Sequence, residues 1–174
     1  MSDILDFLLE REKRVEWINN LKGEYQSPCV FIRANYPGIN KCNNVTKGIV
    51  NEIIKELHKH FPEDKIMFSK KGESKEGPYG IFVINDRGEN IKRATIKIEE
   101  NHFLGRLVDI DVYDIDKVES ISRKDLNKEA RKCYLCDKSA HICSRNRSHP
   151  IEDIERYIED RWRTFNEKYI KNRW

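Results

Sequence analysis

The chain has 174 residues, of which 36% are charged and 38% are apolar, and its formal net charge is +3. That length suits one domain with its own core, and the nearly balanced charge gives no indication of nucleic-acid or membrane binding. No apolar run reaches the roughly 20 residues that cross a bilayer. The first residues, MSDILDFLLEREKR, place acids before apolar residues, which is the reverse of a secretory signal. We therefore expect a cytoplasmic protein.

The first third of the chain predicts a helix, a strand and a second helix. Residues 3–22 have the spacing of an amphipathic helix, and Gly23 follows as a stop. Residues 28–38, PCVFIRANYPG, predict a strand that ends in a turn at Pro37-Gly38, and residues 45–61 predict the second helix. The apolar positions of the first helix are Ile4, Leu5, Leu8, Leu9, Val15, Ile18 and Leu21.

The middle of the chain predicts three more strands. The glycine-rich, charged stretch SKKGESKEGPYG, residues 69–80, is typical of a mobile loop or a hairpin connection. The segments YGIFVIN, IKRATIKIEE and LVDIDVYD are each rich in β-branched residues, and DRGEN has the composition of a hairpin turn between the first two. We therefore expect strands near residues 79–85, 91–100 and 107–114.

The last third begins with a basic stretch that we expect to be irregular or partly helical. Its cysteine- and histidine-bearing part spans residues 131–149. Apolar residues of 151–170 then recur at helical spacing directly after Pro150, where a helix can begin. The element order predicts an α+β fold: a single domain with a mainly antiparallel or mixed sheet, flanking helices and a C-terminal helix.

Asp109 and Asp111 stand one residue apart in the predicted strand LVDIDVYD. Residues i and i+2 of a strand point to one side, roughly 6.5–7 Å apart, so both carboxylates share a face. Burying two carboxylates side by side is costly without a partner. Two such groups can hold Mg²⁺, which prefers oxygen ligands and assists phosphoryl transfer. The alternative is a solvated strand face with nothing bound.

Residues around this pair favour a phosphate site. The preceding stretch NHFLGR supplies His102, Gly105 and Arg106. A glycine lets backbone approach a phosphate closely, and an arginine can bind one bidentately. Glu99, near the end of the preceding predicted strand, is a candidate third acidic ligand for Mg²⁺ or an ordinary exposed strand residue.

Three of the five cysteines lie within eleven residues of the basic segment. Together with a histidine they follow the spacing C-x2-C-x6-C-x5-H, which suits a structural, tetrahedral zinc site. The ligands would be Cys133, Cys136, Cys143 and His149. The alternative is three partly buried thiols, and a redox role is less favoured because no thioredoxin-like context surrounds them.

A long, ordered set of motifs resembles a known family. ATIKIEENHFLGRLVDIDVYD, followed by ISRKDL and RKCYLCDKSAHICSRNRSH, is similar to the apo-citrate lyase phosphoribosyl-dephospho-CoA transferases, or holo-citrate lyase synthases. Weaker agreement reaches upstream to NYPG, so the resemblance covers about residues 28–160. It implies a nucleotidyltransferase-like domain over residues 1–174. It also implies transfer of the 2′-(5″-phosphoribosyl)-3′-dephospho-CoA group from a triphosphate donor to a serine of the acyl carrier (gamma) subunit of citrate lyase, with release of pyrophosphate.

The resemblance suggests roles for several residues. Asp109 and Asp111 would hold Mg²⁺, and one of them would help to deprotonate the serine. Arg106 and the Gly105 backbone would contact the triphosphate, and His102 would be a phosphate ligand, a proton shuttle or a structural histidine. Further candidates for phosphate binding, each weighed against a plain surface role, are Arg131, Arg145, Arg123 and Lys41.

Two other functions use the same residues. A metal-dependent nuclease would use the aspartate pair to activate water instead of a serine. A small zinc-knuckle module would bind nucleic acid through its basic segment, but it needs aromatic residues among the cations, and only Tyr134 qualifies. We therefore expect the acyl carrier and the donor as partners, with no nucleic acid and no membrane.

Overall fold

The computed structural model describes residues 2–170, which form an α+β fold around one antiparallel sheet. The strand order is β2-β3-β1-β4, so β1 is central and β4 is an edge strand. The predicted fold class is thereby confirmed. The elements are α1 Ser2–Tyr25, β1 Cys29–Ala34, α2 Asn44–His60, β2 Ile66–Ser74, β3 Gly77–Ile84, α3 Gly88–Asn101, β4 Val108–Tyr113, α4 Ala140–Asn146 and α5 Ile151–Phe165, which a π-helical turn, Asn166–Ile170, extends.

One face of the sheet packs against three helices in an apolar core. Val108, Ile110 and Val112 of β4 point into this core together with alternate residues of β1 and β3. The helices α2, α3 and α5 cover them with apolar side chains that are almost completely buried. Contributors from the helices are Ile49, Ile53, Leu57, Ile91, Ile98, Ile158 and Phe165.

The helix on the other face, among residues 2–170, is α1. Ile18 and Leu21 of α1 pack on Cys29, Phe31 and neighbouring strand residues in a second, smaller cluster. The predicted helix is confirmed, but only the later part of its apolar stripe reaches the core. Earlier positions are exposed: Leu5 by 59%, Leu8 by 52% and Leu9 by 44%. The side chain of Ile4 lies outside the described residues.

The predicted strand over residues 91–100 is wrong, because this segment lies within α3. Its β-branched residues favour a strand, but Ile91, Thr95 and Ile98 are buried at the i, i+4, i+7 spacing of a helix. The predicted hairpin turn DRGEN is wrong for the same reason, since Arg87 caps α3 and the helix starts at Gly88.

The charged, glycine-rich stretch 69–80 forms a hairpin rather than a mobile loop. β2 and β3 pair from Ile66↔Ile84 to Ser74↔Gly77, with Lys75 and Glu76 between the strands. Gly77 has φ +106°, which a side-chain-bearing residue rarely adopts. The sequence prediction missed β2 and gave a strand where α3 lies. The predicted and observed numbers of strands therefore agree, although the strands are not the same.

Among residues 2–170, none of the helices combines the length and the apolar character needed to cross a bilayer.

Candidate active site on the α1 face of the sheet

The aspartate pair lies on the α1 face, as the alternation of the strand predicts. Asp109 is paired across the sheet with Arg33, and Asp111 with Phe31. Both aspartates are half-buried, whereas Ile110 between them points into the opposite core and is buried. The strand therefore separates its polar residues from its apolar ones.

Two arginines surround Asp109. Arg131 donates one hydrogen bond to Asp109 Oδ1 and a second, of 2.7 Å, to the Val108 carbonyl oxygen. Arg33 Nη2 lies 3.8 Å from Asp109 Oδ2. Burial lowers the pKa of Arg131, but the charges of Asp109 and Glu99 outweigh burial, and the net change is a raised pKa. The charge of Asp109 is thus balanced within the protein.

Asp111 has no such balance. No hydrogen bond or ion pair reaches its carboxylate from any residue in the range 2–170, although its charge influences the pKa values of Arg14, Lys92 and Tyr113. Asp111 is half-buried and lacks a protein partner among the described residues. Asp111 is therefore the carboxylate with oxygen atoms available to a cation.

Further cations surround the pair. Glu76, in the β2–β3 turn, bridges Arg14 and Arg33 with nitrogen–oxygen distances of 3.1 Å to each. Burial, followed by the charge of Arg33, lowers the pKa values of both Arg14 and Lys41. These cations are held close together and partly desolvated, an arrangement that favours an anion. The cations are Arg14, Arg33, Lys41 and Arg131, against the acids Asp109, Asp111 and Glu76.

An open cleft of about 500 Å³ lies beside Lys41, between the start of α1, residues 39–42 and the end of β2. It shares Glu73 and Ser74 with a second cavity of about 270 Å³, which reaches Arg14 and Glu76. A concave surface therefore runs along α1 to the charged residues. The larger cleft is lined by Phe7, Ile39, Asn40, Lys41, Cys42, Glu73, Ser74 and Lys75.

Arg106 lies at another border of the site. Its guanidinium is 4.7 Å from the ring centroid of Tyr134, and it donates to the Lys132 carbonyl oxygen. Its Nη1 is buried and has no hydrogen-bond partner among the described residues. The Tyr134 ring stacks on Tyr157 at 5.2 Å, and its hydroxyl donates to the Asn35 carbonyl oxygen at 3.1 Å. Arg106 thus retains an unused donor within electrostatic reach of Asp109.

Glu99 does not lie beside the aspartate pair at the end of a strand, because it belongs to α3. Its Oε1 accepts a hydrogen bond of 3.3 Å from the Ile110 amide, and its Oε2 accepts one of 2.8 Å from Arg123. Arg131 is 3.8 Å away. Burial raises the pKa of Glu99, and the cations around it oppose that rise. Glu99 therefore covers the free edge of β4 and anchors the arginine that contacts Asp109.

Arg123 and Gly105 also have structural partners in place of an open phosphate site. Arg123 contacts Glu99 and Glu100 and donates to the Glu129 carbonyl oxygen at 3.0 Å. The Gly105 amide donates to the His102 carbonyl oxygen at 2.9 Å. A Cβ at Gly105 would lie 2.2 Å from the Ile98 oxygen, so this glycine is needed for the close approach of backbone to α3.

His102 lies with the helices of the opposite face. Its Nδ1 accepts a hydrogen bond of 3.1 Å from the Leu104 amide, and its ring is 5.6 Å from that of Phe165. Burial lowers its pKa, with Glu56 opposing the change. No contact joins His102 to either aspartate in the part of the chain that the structure describes, so the predicted cluster does not include it.

The remaining basic candidates separate into near and distant residues. Gly38 has φ +72°, consistent with the predicted turn, and Lys41 after it reaches the charged site. Arg145 lies in the last turn of the short helix α4 and is exposed. Arg145 therefore faces solvent rather than Asp109.

The cysteine and histidine residues of the basic segment converge. Ligand atoms of Cys133, Cys136, Cys143 and His149 all lie within 4.8 Å of one another, and Cys136 Sγ is 3.5 Å from Cys143 Sγ. These residues are placed to hold a metal ion. The other two cysteines lie elsewhere: Cys29 is buried in the sheet, and Cys42 contacts Glu73.

Comparison with known proteins identifies the family. The family model described as apo-citrate lyase phosphoribosyl-dephospho-CoA transferase matches residues 2–165 of this chain. The chain belongs to the apo-citrate lyase phosphoribosyl-dephospho-CoA transferase family. The resemblance seen in the sequence motifs is therefore confirmed, and the chain is an enzyme of the transferase class.

Curated relatives agree with this assignment. A protein of Vibrio cholerae named "Probable apo-citrate lyase phosphoribosyl-dephospho-CoA transferase" is 33% identical over 88% of this chain and 87% of its own length. Proteins of Escherichia coli and Shigella flexneri with the same name, without "probable", are each 30% identical over 90% of this chain and 86% of their own. The similarity to this transferase family thus extends over nearly the whole fold.

Several residues of the candidate site were missed by sequence reasoning. Arg33 is the charged residue in the otherwise apolar strand CVFIRA, which is a usable signal, but its partner Asp109 is 76 positions away. Arg14 and Glu76 look like ordinary surface charges in a chain that is 36% charged. Strand pairing and the position of α1, rather than closeness in sequence, bring these three residues near Asp109.

Proposed function

We propose that this chain transfers the 2′-(5″-phosphoribosyl)-3′-dephospho-CoA group from its triphosphate donor to a serine hydroxyl of the acyl carrier (gamma) subunit of citrate lyase and releases pyrophosphate. Family membership supports the type of reaction and the group transferred. The observation that carries the proposal is the free carboxylate of Asp111 beside Asp109, enclosed by cations on one face of the sheet.

The cations are suited to hold the triphosphate. Arg33 and Arg131 present planar guanidinium groups beside Asp109, and Lys41 stands at the entrance from the 500 Å³ cleft. Guanidinium groups bind phosphate oxygens in a bidentate manner. Part of the positive charge is already balanced by Asp109 and Glu76, which keeps the arginines together when no donor is bound.

The carboxylates fit Mg²⁺. Asp111 has unused oxygen atoms, and Asp109 Oδ2 has only a distant contact, 3.8 Å from Arg33. Carboxylate oxygens are the ligands that Mg²⁺ prefers, and Mg²⁺ usually completes its coordination with substrate phosphates. When bound, the ion neutralises charge on the reacting phosphate and on the departing pyrophosphate. Asp109 and Asp111 would hold it.

The reaction then needs no covalent intermediate on the enzyme. The serine oxygen of the carrier attacks the α-phosphorus of the donor, and the bond from that phosphorus to the bridging oxygen breaks. Pyrophosphate leaves with the bonding electrons, and the new bond completes a phosphodiester. The proton of the serine passes to one carboxylate of the aspartate pair, because a hydroxyl is a weak nucleophile unless a base accepts its proton.

The carrier is expected to approach from the basic segment. Arg145 and Arg147 are exposed there, in the same segment as Arg131 and Lys132, which contact Asp109 and Arg106. Acyl carriers are generally acidic, and opposite charges accelerate and orient association. Replacing Arg145 by glutamate should therefore weaken carrier binding without changing donor binding. If Arg145→Glu left carrier affinity unchanged, this part of the proposal would be wrong.

The zinc-knuckle module is disfavoured by the position of Tyr134. A nucleic-acid module needs aromatic faces that are open for base stacking. The Tyr134 ring is instead covered by Tyr157 and Arg106.

The proposal is tested by incubating the protein with donor, apo carrier and Mg²⁺, and weighing the carrier by mass spectrometry. We expect a mass gain equal to the phosphoribosyl-dephospho-CoA group, with pyrophosphate formed in equal amount. A carrier variant with alanine at the acceptor serine should gain nothing. Hydrolysis of DNA or RNA without any carrier modification would overturn the proposal and support a nuclease.

A further inference from the structure

We propose that Cys133, Cys136, Cys143 and His149 bind one structural Zn²⁺, and that this ion positions Arg131 and Tyr134 beside the aspartate pair. The binding of zinc does not depend on the proposed reaction. The positioning role does rest on it, because Arg131 is assigned to the triphosphate site.

The four ligand atoms have the separations of a tetrahedral site. All lie within 4.8 Å of one another, and the Cys136–Cys143 sulfur distance is 3.5 Å. A tetrahedron of ligands on Zn–S bonds of about 2.3 Å has edges of roughly 3.8 Å. Small side-chain rotations would therefore bring all four atoms to one ion.

The histidine provides an independent observation. His149 Nε2 is buried, and no residue in the described part of the chain forms a hydrogen bond with it. A buried nitrogen without a partner is unfavourable, and such groups normally have a protein, water or metal partner. Nε2 is also a usual atom for zinc coordination by histidine. The missing partner is accounted for if Nε2 faces the same ion as the three sulfurs.

Backbone hydrogen bonds fold the chain around the first two ligands into a loop that brings the ligands together. The Cys133 amide donates to the Lys138 carbonyl oxygen at 2.8 Å, and the Ala140 amide donates to the Arg131 carbonyl oxygen at 2.8 Å. These bonds form a tight loop that carries Cys136 and presents Cys143 from the following helix, α4. The C-x2-C spacing of the two ligands at this loop, Cys133 and Cys136, is typical of structural zinc sites.

Apart from Tyr134, whose ring stacks on Tyr157, the segment buries little apolar surface. Over residues 131–149, Cys143 is the buried apolar residue, whereas Leu135 is 38% exposed and Ile142 is 52% exposed. A short segment that cannot bury a core usually depends on a metal or a disulfide. All four ligand positions are occupied by protein, so the ion would be structural rather than catalytic.

The site connects directly to the aspartate pair. Arg131, which contacts Asp109, is two residues before the first ligand, and Tyr134, which stacks with Arg106, lies between the first two. Loss of the ion should therefore release both residues. The metal would fix the positions of Arg131 and Tyr134, but neither residue would coordinate it.

The experiment uses the full chain purified under reducing conditions without chelator. We expect about one zinc per chain by elemental analysis. The variant Cys136→Ser/Cys143→Ser should lose it, and Cys42→Ser, which removes a thiol outside the cluster, should retain it. Zinc below about a tenth of an equivalent in the wild type, together with failure to take it up when supplied, would overturn the proposal.

A second measurement covers the case in which the double variant fails to fold. Reduced wild-type protein stripped of metal is titrated with Co²⁺, which reports thiolate ligands by charge-transfer absorption. We expect saturation at about one equivalent, displacement by Zn²⁺, and renewed protection of residues 131–149 from protease. No thiolate absorption on titration would contradict the site. Zinc binding in a protein that lacks carrier transfer would leave the zinc site standing and reject the proposed function.

Discussion

The two faces of the sheet are made by the same strands but have opposite character. On the face covered by α2, α3 and α5, the residues of β4 are Val108, Ile110 and Val112, and all are buried in the apolar core. On the α1 face, Asp109 of that strand contacts Arg33 and Arg131, and the charge of Asp111, which has no such contact, influences Arg14. The period of two along a strand is sufficient to place a stabilising surface and a reactive surface on opposite sides of one backbone.

This comparison separates stability from activity. Apolar burial is what holds the sheet to the three helices. The charged groups on the α1 face contribute less to stability, since paired and desolvated charges often gain little net free energy. Changes on the α1 face should therefore reduce transfer with a small effect on folding, and changes on the helix face should do the reverse.

The largest effect is expected from Asp111→Asn. The change removes the charge of the free carboxylate but keeps its shape, so transfer should fall about 10²–10³-fold or more, the range found when one group that stabilises transition-state charge is removed. The thermal midpoint should stay close to that of the wild type. Mass spectrometry of the carrier measures the rate of transfer, and a melting curve measures the thermal midpoint. Asp116→Asn, at an exposed site in the loop after β4, is the matched control and should be fully active.

On the opposite face, Ile110→Ala should destabilise without impairing chemistry. Ile110 is 1% exposed, and removing such a side chain from a core typically costs about 2–5 kcal/mol of unfolding free energy. Urea unfolding measures this loss. Where the variant is folded, its KM for the donor should match the wild type. A loss of activity without a loss of stability would show that the two faces are not separate.

A smaller but measurable effect is expected at His102, which should make the free energy of unfolding depend on pH. Burial holds the pKa of His102 below its ordinary value of 6.5, so the unfolded chain takes up a proton more readily than the folded one. Its stabilising contribution is present above pH 6.5 and is lost as the pH falls below it. Protonation of Nδ1 would also remove the acceptor for the Leu104 amide.

Urea unfolding of wild type and His102→Gln between pH 7.5 and 5.5 tests this assignment. The wild type should lose more unfolding free energy over that interval than the variant does. Equal losses would mean that His102 is not a buried neutral histidine.

The smallest effect is expected at Leu8→Gln. Leu8 is 52% exposed on the part of α1 that does not reach the core, and exposed substitutions usually change the unfolding free energy by less than about 0.5 kcal/mol. Leu21→Gln, at a position 4% exposed, is the comparison variant and should destabilise strongly. Similar urea midpoints for both variants would contradict the described packing of α1.

Sequence reasoning predicted the fold class, α1, α2 and the face of the aspartate pair, because these follow from local periodicity. It failed for α3, where Ile91, Ile96 and Ile98 favour a strand locally while packing against α2 and β4 selects a helix. Tertiary contacts can override local propensity in this way.

The candidate site was predictable only where its residues are close in sequence. Asp109 and Asp111 follow one strand, and the metal-ligating set follows one short segment. Arg33 and Glu76 come from different elements and meet through antiparallel pairing and the β2–β3 turn. Glu99 was placed on a strand by the sequence prediction, whereas it lies on a helix that directs it to the edge of β4.

The most direct test of the account is a crystal structure of the wild-type chain with the donor and Mn²⁺, in which anomalous scattering locates the cation. We predict a cation bound by Asp111 and Asp109, with the triphosphate between it and the guanidinium groups of Arg33 and Arg131. A cation and triphosphate bound at another place, such as the opposite face near His102, with both aspartates free of ligand, would contradict it.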